Sequence, residues 1–219
     1  MSTTEKPTVD PTASSTPTLD IRRTTAGDRD PTARVLAAAF FDDPIFGWII
    51  PDTARRHEVI VPSFRLYVDA FARHDETHLA SVDGEPHGAA MWSPPGVEPV
   101  HPDDEPVLMD RVVDLFGPDA ERLGIVLELF EAAHPAEPAW FLQFVGVDPA
   151  RQGGGIGSAL LRDGLRRADA AGEAAYLEAT SELNRALYER HGFRCIEEIR
   201  LPDGPTSYGM WREAGATGS

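Results

Sequence analysis

The sequence predicts an α/β (α+β) fold in which helices alternate with a mixed sheet, and three observations carry that expectation. Trp140 to Val147 is a continuous apolar run, as a central strand covered on both faces requires. Beyond it, segments with helical spacing alternate with short strand-like runs as far as Arg212. Upstream, two strand-like runs, Thr77 to Val82 and His87 to Trp92, flank Asp83-Gly84, a pair suited to the positive-φ positions of a tight hairpin. A length of 219 residues accommodates one such domain with terminal extensions, and no internal repeat divides it.

Residues 2 to 18 are mostly Ser, Thr and Pro, with too little apolar surface to offset the entropy of ordering them. The expectation is therefore a disordered tail over 1–18, one domain over 19–213 and a short flexible C-terminus over 214–219. Leu19 to Arg23 alternates like a half-buried strand. Thr25 to Asp28 then offer capping chemistry, and Val35, Leu36, Ala39 and Phe40 recur at helical spacing. Asp42-Asp43-Pro44 stops that helix, because a residue before proline is pushed out of helical geometry. Ile45 to Pro51 is apolar and aromatic, a composition for core packing or for a pocket wall. Ala54 to His74 reads as a second helical region, interrupted or bent near Pro62. A proline-rich loop over 93–106 precedes two helical stretches, Val107 to Phe116 and Ala120 to Ala133, separated by Gly117-Pro118. After Val147 come a helix from about Gly155 to Ala171, a strand from Ala174 to Thr180 and a short helix from Asn184 to His191. A strand from Phe193 to Arg200 follows, and Tyr208 to Arg212 closes the sheet.

Twenty Lys and Arg against 36 Asp and Glu give a net charge of −16, which argues against a nucleic-acid partner, since phosphate contacts need an excess of basic residues. Hydrophobic residues at 42% suffice for a packed core. The single cysteine, Cys195, excludes an internal disulfide and suits a reducing compartment; it is expected to be an inert core thiol. No run approaches the roughly 20 apolar residues of a membrane span, and no basic-then-apolar leader opens the chain, so a cytoplasmic protein is expected, as monomer or homodimer. His74 and His78 have metal-like spacing without a third ligand; surface histidines and no metal are expected.

The informative segment is Val145-Gly146-Val147-Asp148-Pro149-Ala150-Arg151-Gln152-Gly153-Gly154-Gly155-Ile156-Gly157-Ser158. A strand enters, three glycines turn the chain, and an amphipathic helix leaves. Glycine permits positive φ and close ligand approach, while the helix start offers unpaired N–H groups and a partial positive charge. Together they suit a phosphate or pyrophosphate. A Walker loop would need Gly-Lys followed by Ser or Thr, and no lysine is near. A dinucleotide fold matches the glycine spacing and would place Glu178 near a ribose, but five residues intervene between strand and first glycine, and only one βαβ unit is visible.

Gln152-x-x-Gly155-x-Gly157, after a strand ending Val-Gly-Val-Asp-Pro and before Ser-Ala-Leu-Leu, resembles the acetyl-CoA motif of the GNAT N-acetyltransferases. Asn184-Arg185-Ala186-Leu187-Tyr188-Glu189-Arg190-His191-Gly192-Phe193 resembles that family's second motif. The resemblance implies a GNAT fold: a mixed sheet of about six to seven strands flanked by helices and splayed between the fourth and fifth. It also implies transfer of acetyl from acetyl-CoA to a primary amine, an aminonucleoside antibiotic being one candidate. Cofactor contacts would come from Val145, Gly146, Val147, Gln152, Gly153, Gly154, Gly155, Ile156, Gly157, Ser158 and Asn184. Gly146 would permit a bulge that parts the two strands, and a free strand N–H would bind the oxyanion of the tetrahedral intermediate. Many relatives carry Lys or Arg where this chain has Gly153 and Gly154, leaving phosphate binding to backbone N–H groups and Arg151.

Tyr188, ordinarily protonated at neutral pH, is the expected proton donor to the departing thiolate. Glu178 is the candidate base, with a solvated strand-end carboxylate as the alternative. Asp42 and Asp43 could complement a cationic amine, and Phe40, Phe46, Trp48, Tyr67 and Trp92 could stack on an aromatic acceptor or simply fill the core. The same scaffold could instead be a non-catalytic acyl-CoA-binding module, and a dinucleotide-dependent oxidoreductase is the remaining alternative.

Overall fold

The computed structural model describes residues 18–72, 76–98, 100 and 103–218. The expected N-terminal tail, residue 18 apart, and His74 lie outside the described residues. Among the described residues, seven strands form one sheet: β1 (Leu19–Arg23), β2 (Thr77–Val82), β3 (Glu85–Ser93), β4 (Ala139–Val147), β5 (Ala174–Ala179), β6 (Arg194–Arg200) and β7 (Thr206–Arg212), in the order β1-β2-β3-β4-β5-β7-β6. The β4–β5 pair is parallel and the other five pairs are antiparallel. The β2–β3 hairpin turns on Asp83 and Gly84, at φ 53° and 87°, so the loop is two residues long.

Among the described residues, seven α-helices accompany the sheet: α1 (Arg29–Phe40), α2 (Pro44–Ile49), α3 (Thr53–Phe71), α4 (Glu105–Phe116), α5 (Ala120–Ala133), α6 (Ile156–Ala171) and α7 (Glu182–Glu189). On one face, α1 and α3 pack Leu36, Ile60 and Phe64 against Leu79, Ala89 and Met91. On the other, α6 and α7 pack Leu160, Leu161, Leu165 and Tyr188 against Trp92, Trp140, Leu142 and Leu177. A third cluster joins α2, α3, α4 and α5 through Ile49, Ile50, Val59, Phe116 and Val126.

Two expectations change here, at Pro62 and at Cys195, and the segment after Asp43, expected as core or pocket wall, gains an element that its composition did not specify. The apolar stretch after Asp43 contains α2, whose six residues are too few to display a helical period; Asp43 caps it by accepting from the N–H groups of Ile45 (2.9 Å) and Phe46 (3.3 Å). Pro62 does not interrupt α3, which runs 19 residues through it. The carbonyl that loses its donor is that of Glu58, four residues back on the exposed side, where solvent can satisfy it, and the apolar face continues unbroken through Val59, Ile60, Phe64 and Leu66. Cys195 lies half-buried on the β6 edge strand rather than deep in the core. Within the expected flexible C-terminus, Gly215 N–H donates to Asp169 (2.7 Å) and the Ala216 carbonyl accepts from Arg212 (2.6 Å); residue 219 lies outside the described residues.

Candidate active site

β4 and β5 pair only where they begin, Ala139–Phe141 against Ala174–Tyr176, and then part. A cavity of about 640 Å³ opens in this wedge, beneath α1, α2 and α5. The splay expected between the fourth and fifth strands is present, but Gly146 does not cause it. The bulge of β4 is at Gln143, the extra residue between the pairs Leu142↔Trp92 and Phe144↔Met91. Gly146 pairs regularly with Ala89, and its reason is packing: a Cβ there would stand 2.7 Å from Cβ of Ala39 and 3.2 Å from Leu36 on α1.

The bulge resets the alternation of β4. Trp140 and Leu142 face α6, and beyond Gln143 that side passes to Val145 and Val147, while Phe144 joins the α1 face. The backbone follows suit. Asp148 N–H donates to the His87 carbonyl (2.8 Å), so in this antiparallel register Gly146 and Phe144 also turn their N–H toward β3. Val145 and Val147 therefore present N–H and C=O groups to the wedge, where β5 no longer answers them. Gln152 Nε2 donates to the Val147 carbonyl (3.2 Å), fixing the following turn against the strand end.

In that turn the Asp148 carboxylate accepts from Ala150 N–H (3.0 Å), and Gly153 and Gly155 take φ of 77° and 84°. Gly155 is the N-cap of the 16-residue α6 and brings no capping side chain, so the first-turn N–H groups of Ile156, Gly157 and Ser158 are left to a ligand or solvent. Gly154 is exposed beside them, and Ser158 Oγ lies 3.0 Å from His191 Nε2.

The opposite wall is α7 and the end of β5. Ser181 caps α7 by accepting from Asn184 N–H (3.2 Å), and Asn184 Nδ2 donates to Thr180 Oγ1 (3.1 Å). Thr180 in turn donates to Asp43 Oδ2 (2.5 Å), a bond that ties the α1–α2 junction to the β5–α7 junction. Burial pushes the Asp43 carboxyl up while these hydrogen bonds oppose the shift. Tyr188, one turn after Asn184, is buried against Phe193 and lines the cavity; burial, reinforced by the Asp43 charge, pushes its phenol up and keeps it protonated.

Glu178 is not a solvated strand-end group. Its side chain is 7% exposed, on the β5 face shared with Tyr176 and opposite Leu177. Burial raises its pKa, partly countered by His134 and by the Tyr176 hydroxyl. Of the acids expected near an acceptor, Asp43 lines the cavity and Asp42 is exposed. Of the aromatics, Phe40, Phe46 and Tyr67 line it; Trp48 lies under Arg122, 5.5 Å from ring centre to guanidinium, and Trp92 is wholly buried. His78, expected at the surface, is 6% exposed beneath Arg167.

The wedge thus brings together Val145, Asn184, Tyr188 and Glu178, with the Gln152–Ser158 turn at the end of β4 and Gly146 beneath α1. Sequence reasoning missed Thr180, His134 and Gln143. Thr180 precedes a visible cap by one residue, but nothing in the sequence pairs it with Asp43, 137 residues away. His134 follows the last residue of α5 and carries no motif.

A family model described as acetyltransferase (GNAT) domain matches residues 119–195, from the turn before α5 to the start of β6. A solved structure from Corynebacterium glutamicum, described as histone acetyltransferase HPA2 and related acetyltransferase, is 30% identical, with 91% of this chain and 97% of that one covered at a TM-score of 0.63. A mosquito structure described as arylalkylamine N-acetyltransferase like 5b shares the fold at a TM-score of 0.64 and 14% identity, covering 90% of this chain and 100% of its own. A mycothiol acetyltransferase from Streptosporangium roseum is 42% identical over 66 residues, 29% of this chain; the chain spans 20% of that relative's length.

Proposed function

The chain belongs to the GNAT acetyltransferases, and on that premise we propose that it moves the acetyl group of acetyl-CoA directly to the primary amine of a small cationic molecule. The observation that carries this reading is the parting of β4 from β5 directly beside a glycine-opened, uncapped helix start. An amide chain lying in the wedge can pair with Val145 and Val147 as a missing strand would. The first-turn N–H groups of α6 suit a pyrophosphate, with Gly153 and Gly155 supplying the turn and Gly154 adding no bulk. Arg151, exposed on the same turn, is the nearby cation.

In the proposed reaction the N–H of Val145 polarises the thioester carbonyl, and Tyr188 gives its proton to the departing sulfur. Asn184 holds the Tyr188 helix turn to Thr180 and offers its remaining amide groups to the pantetheine arm. Glu178 removes the proton that an ammonium must lose before its nitrogen can attack. Every ionisable side chain lining the cavity, among the described residues, is acidic, phenolic or histidine, with no Lys or Arg. That balance favours a cation and disfavours a free carboxylate on the acceptor.

The aromatic lining by Phe40, Phe46, Tyr67 and Phe144 supports an acceptor with a ring. An aminonucleoside is a first candidate because Leu36–Phe40, Glu137–Leu142 and Tyr188–Arg190 resemble puromycin N-acetyltransferase. The test is thermal stabilisation by acetyl-CoA, CoA and NAD, followed by thiol release across aminonucleosides, aminoglycosides, polyamines and peptide N-termini. Stabilisation by acetyl-CoA with thiol release on at least one amine is expected. Stabilisation without release on any amine would make this a binding module, and stabilisation by NAD alone would overturn the reading.

A further inference from the structure

The reaction proposed above converts an alkylammonium and a thioester into an amide, a thiol and one proton. That proton has to leave the wedge in every cycle. Glu178, the group placed to take it, is 7% exposed, and an aromatic acceptor filling the wedge would shut out water.

One neighbour connects Glu178 with the outside. His134, immediately after α5, lines the same cavity with its side chain 40% exposed, and its Nδ1 is 3.9 Å from Glu178 Oε1. The ring stands edge-on beside the stacked pair of Phe141 and Tyr176, with centroids 4.8 and 4.9 Å away, and these contacts keep one end toward the carboxylate. The separation is beyond a hydrogen bond; a small rotation or one bridging water closes it. Tyr176 also hydrogen-bonds Glu178, but it has no exposed surface from which to release a proton, and burial together with the Glu178 charge holds its phenol up. The other ionisable groups lining the cavity are Asp43, Tyr67, Glu98, Glu131, Glu137 and Tyr188, none of them a cation that would repel a protonated imidazole.

We propose that His134 is the positioning residue that receives the acceptor's proton from Glu178 and passes it to solvent. The inference rests on the acetyltransferase reading. An ammonium N–H bond breaks as a Glu178 oxygen gains the proton. The neutral nitrogen then forms its bond to the acetyl carbon, the C–S bond breaks and sulfur takes a proton from Tyr188. The second proton lost by nitrogen replaces the one given by Tyr188. The proton on Glu178 moves to one nitrogen of the His134 ring while the other nitrogen releases its own to water, leaving Glu178 and His134 as they began.

The test compares wild type, His134→Ala, His134→Gln and Glu178→Gln at saturating acetyl-CoA, using an amine that the wild type acetylates. Both His134 variants are expected to lose about tenfold or more in kcat with unchanged stabilisation by acetyl-CoA. Added imidazole should restore several-fold activity to His134→Ala, whose vacated space beside the stacked Phe141 and Tyr176 rings is open to solvent. It should restore none to the filled His134→Gln or to Glu178→Gln. Wild-type kcat in His134→Ala, or a loss that imidazole does not relieve, would overturn the proposal while the acetyltransferase reading stands. A wild type that binds acetyl-CoA and acetylates no amine would overturn both.

Discussion

Burial and the charge of Asp43 push the Tyr188 phenol up and keep it protonated. The proposed reaction asks it to give that proton to the departing thiolate. Tyr188→Phe keeps the ring packing on Phe193 and removes only the proton. The expected result is a kcat lowered by about tenfold to a hundredfold, with thermal stabilisation by acetyl-CoA unchanged. Normal turnover in that variant would take Tyr188 out of the chemistry. Tyr188 and Asn184 were singled out by the resemblance of Asn184–Phe193 to a family motif, and one turn of α7 sets both against the wedge. Glu178 was legible as a residue but not as an environment: alternation puts it on the face of Tyr176, yet only the packing of α5 over that face makes it buried. His134 and Thr180 were illegible, since each meets its partner through contacts between distant elements.

At the level of elements, most strands and long helices follow from their periods, and the failures share one cause. A period reports a face only while the register holds. The extra residue Gln143 flips the parity of β4, so Phe144 sits on the face opposite to the one that Leu142 implies. Gly146 was read as the bulge when it is the point where α1 comes closest to the sheet. Gly146→Ala should therefore cost about 1–3 kcal/mol, since its Cβ would meet Ala39 on a packed helix, and a chemical denaturation curve would measure it. An unchanged midpoint would show that α1 is not pressed against β4 there. Helix α6 is tied to β2 by His78, where burial and the Arg167 guanidinium push the imidazole down to about 4. The unfolded chain takes up this proton below roughly pH 6.5 and the folded one only near pH 4, so the contribution is full above 6.5 and is lost as pH falls between the two. His78 thus accounts for up to roughly 3 kcal/mol of lost stability on acidification. Thermal melts at pH 7.5 and 5 should show a smaller acid loss in His78→Gln than in wild type; equal losses would remove His78 as the cause.

For the molecule as a whole, a net charge of −16 meets two partners of opposite sign. In the proposed reading the polyanionic carrier is bound against that field, mainly by backbone N–H groups at the start of α6, because Gly153 and Gly154 stand where a cation would help. The same reading has the amine drawn toward a cavity whose charged lining is acidic. The fold separates these demands by opening one sheet into a wedge, with main-chain amides at one end and carboxylates under the helices at the other. Amide hydrogen exchange with and without acetyl-CoA tests that division most directly. The account predicts slowed exchange at Val145, Val147 and residues 153–158, with β1, β2 and α4 unaffected. Unchanged exchange across 145–158 in protein that demonstrably binds acetyl-CoA would contradict it.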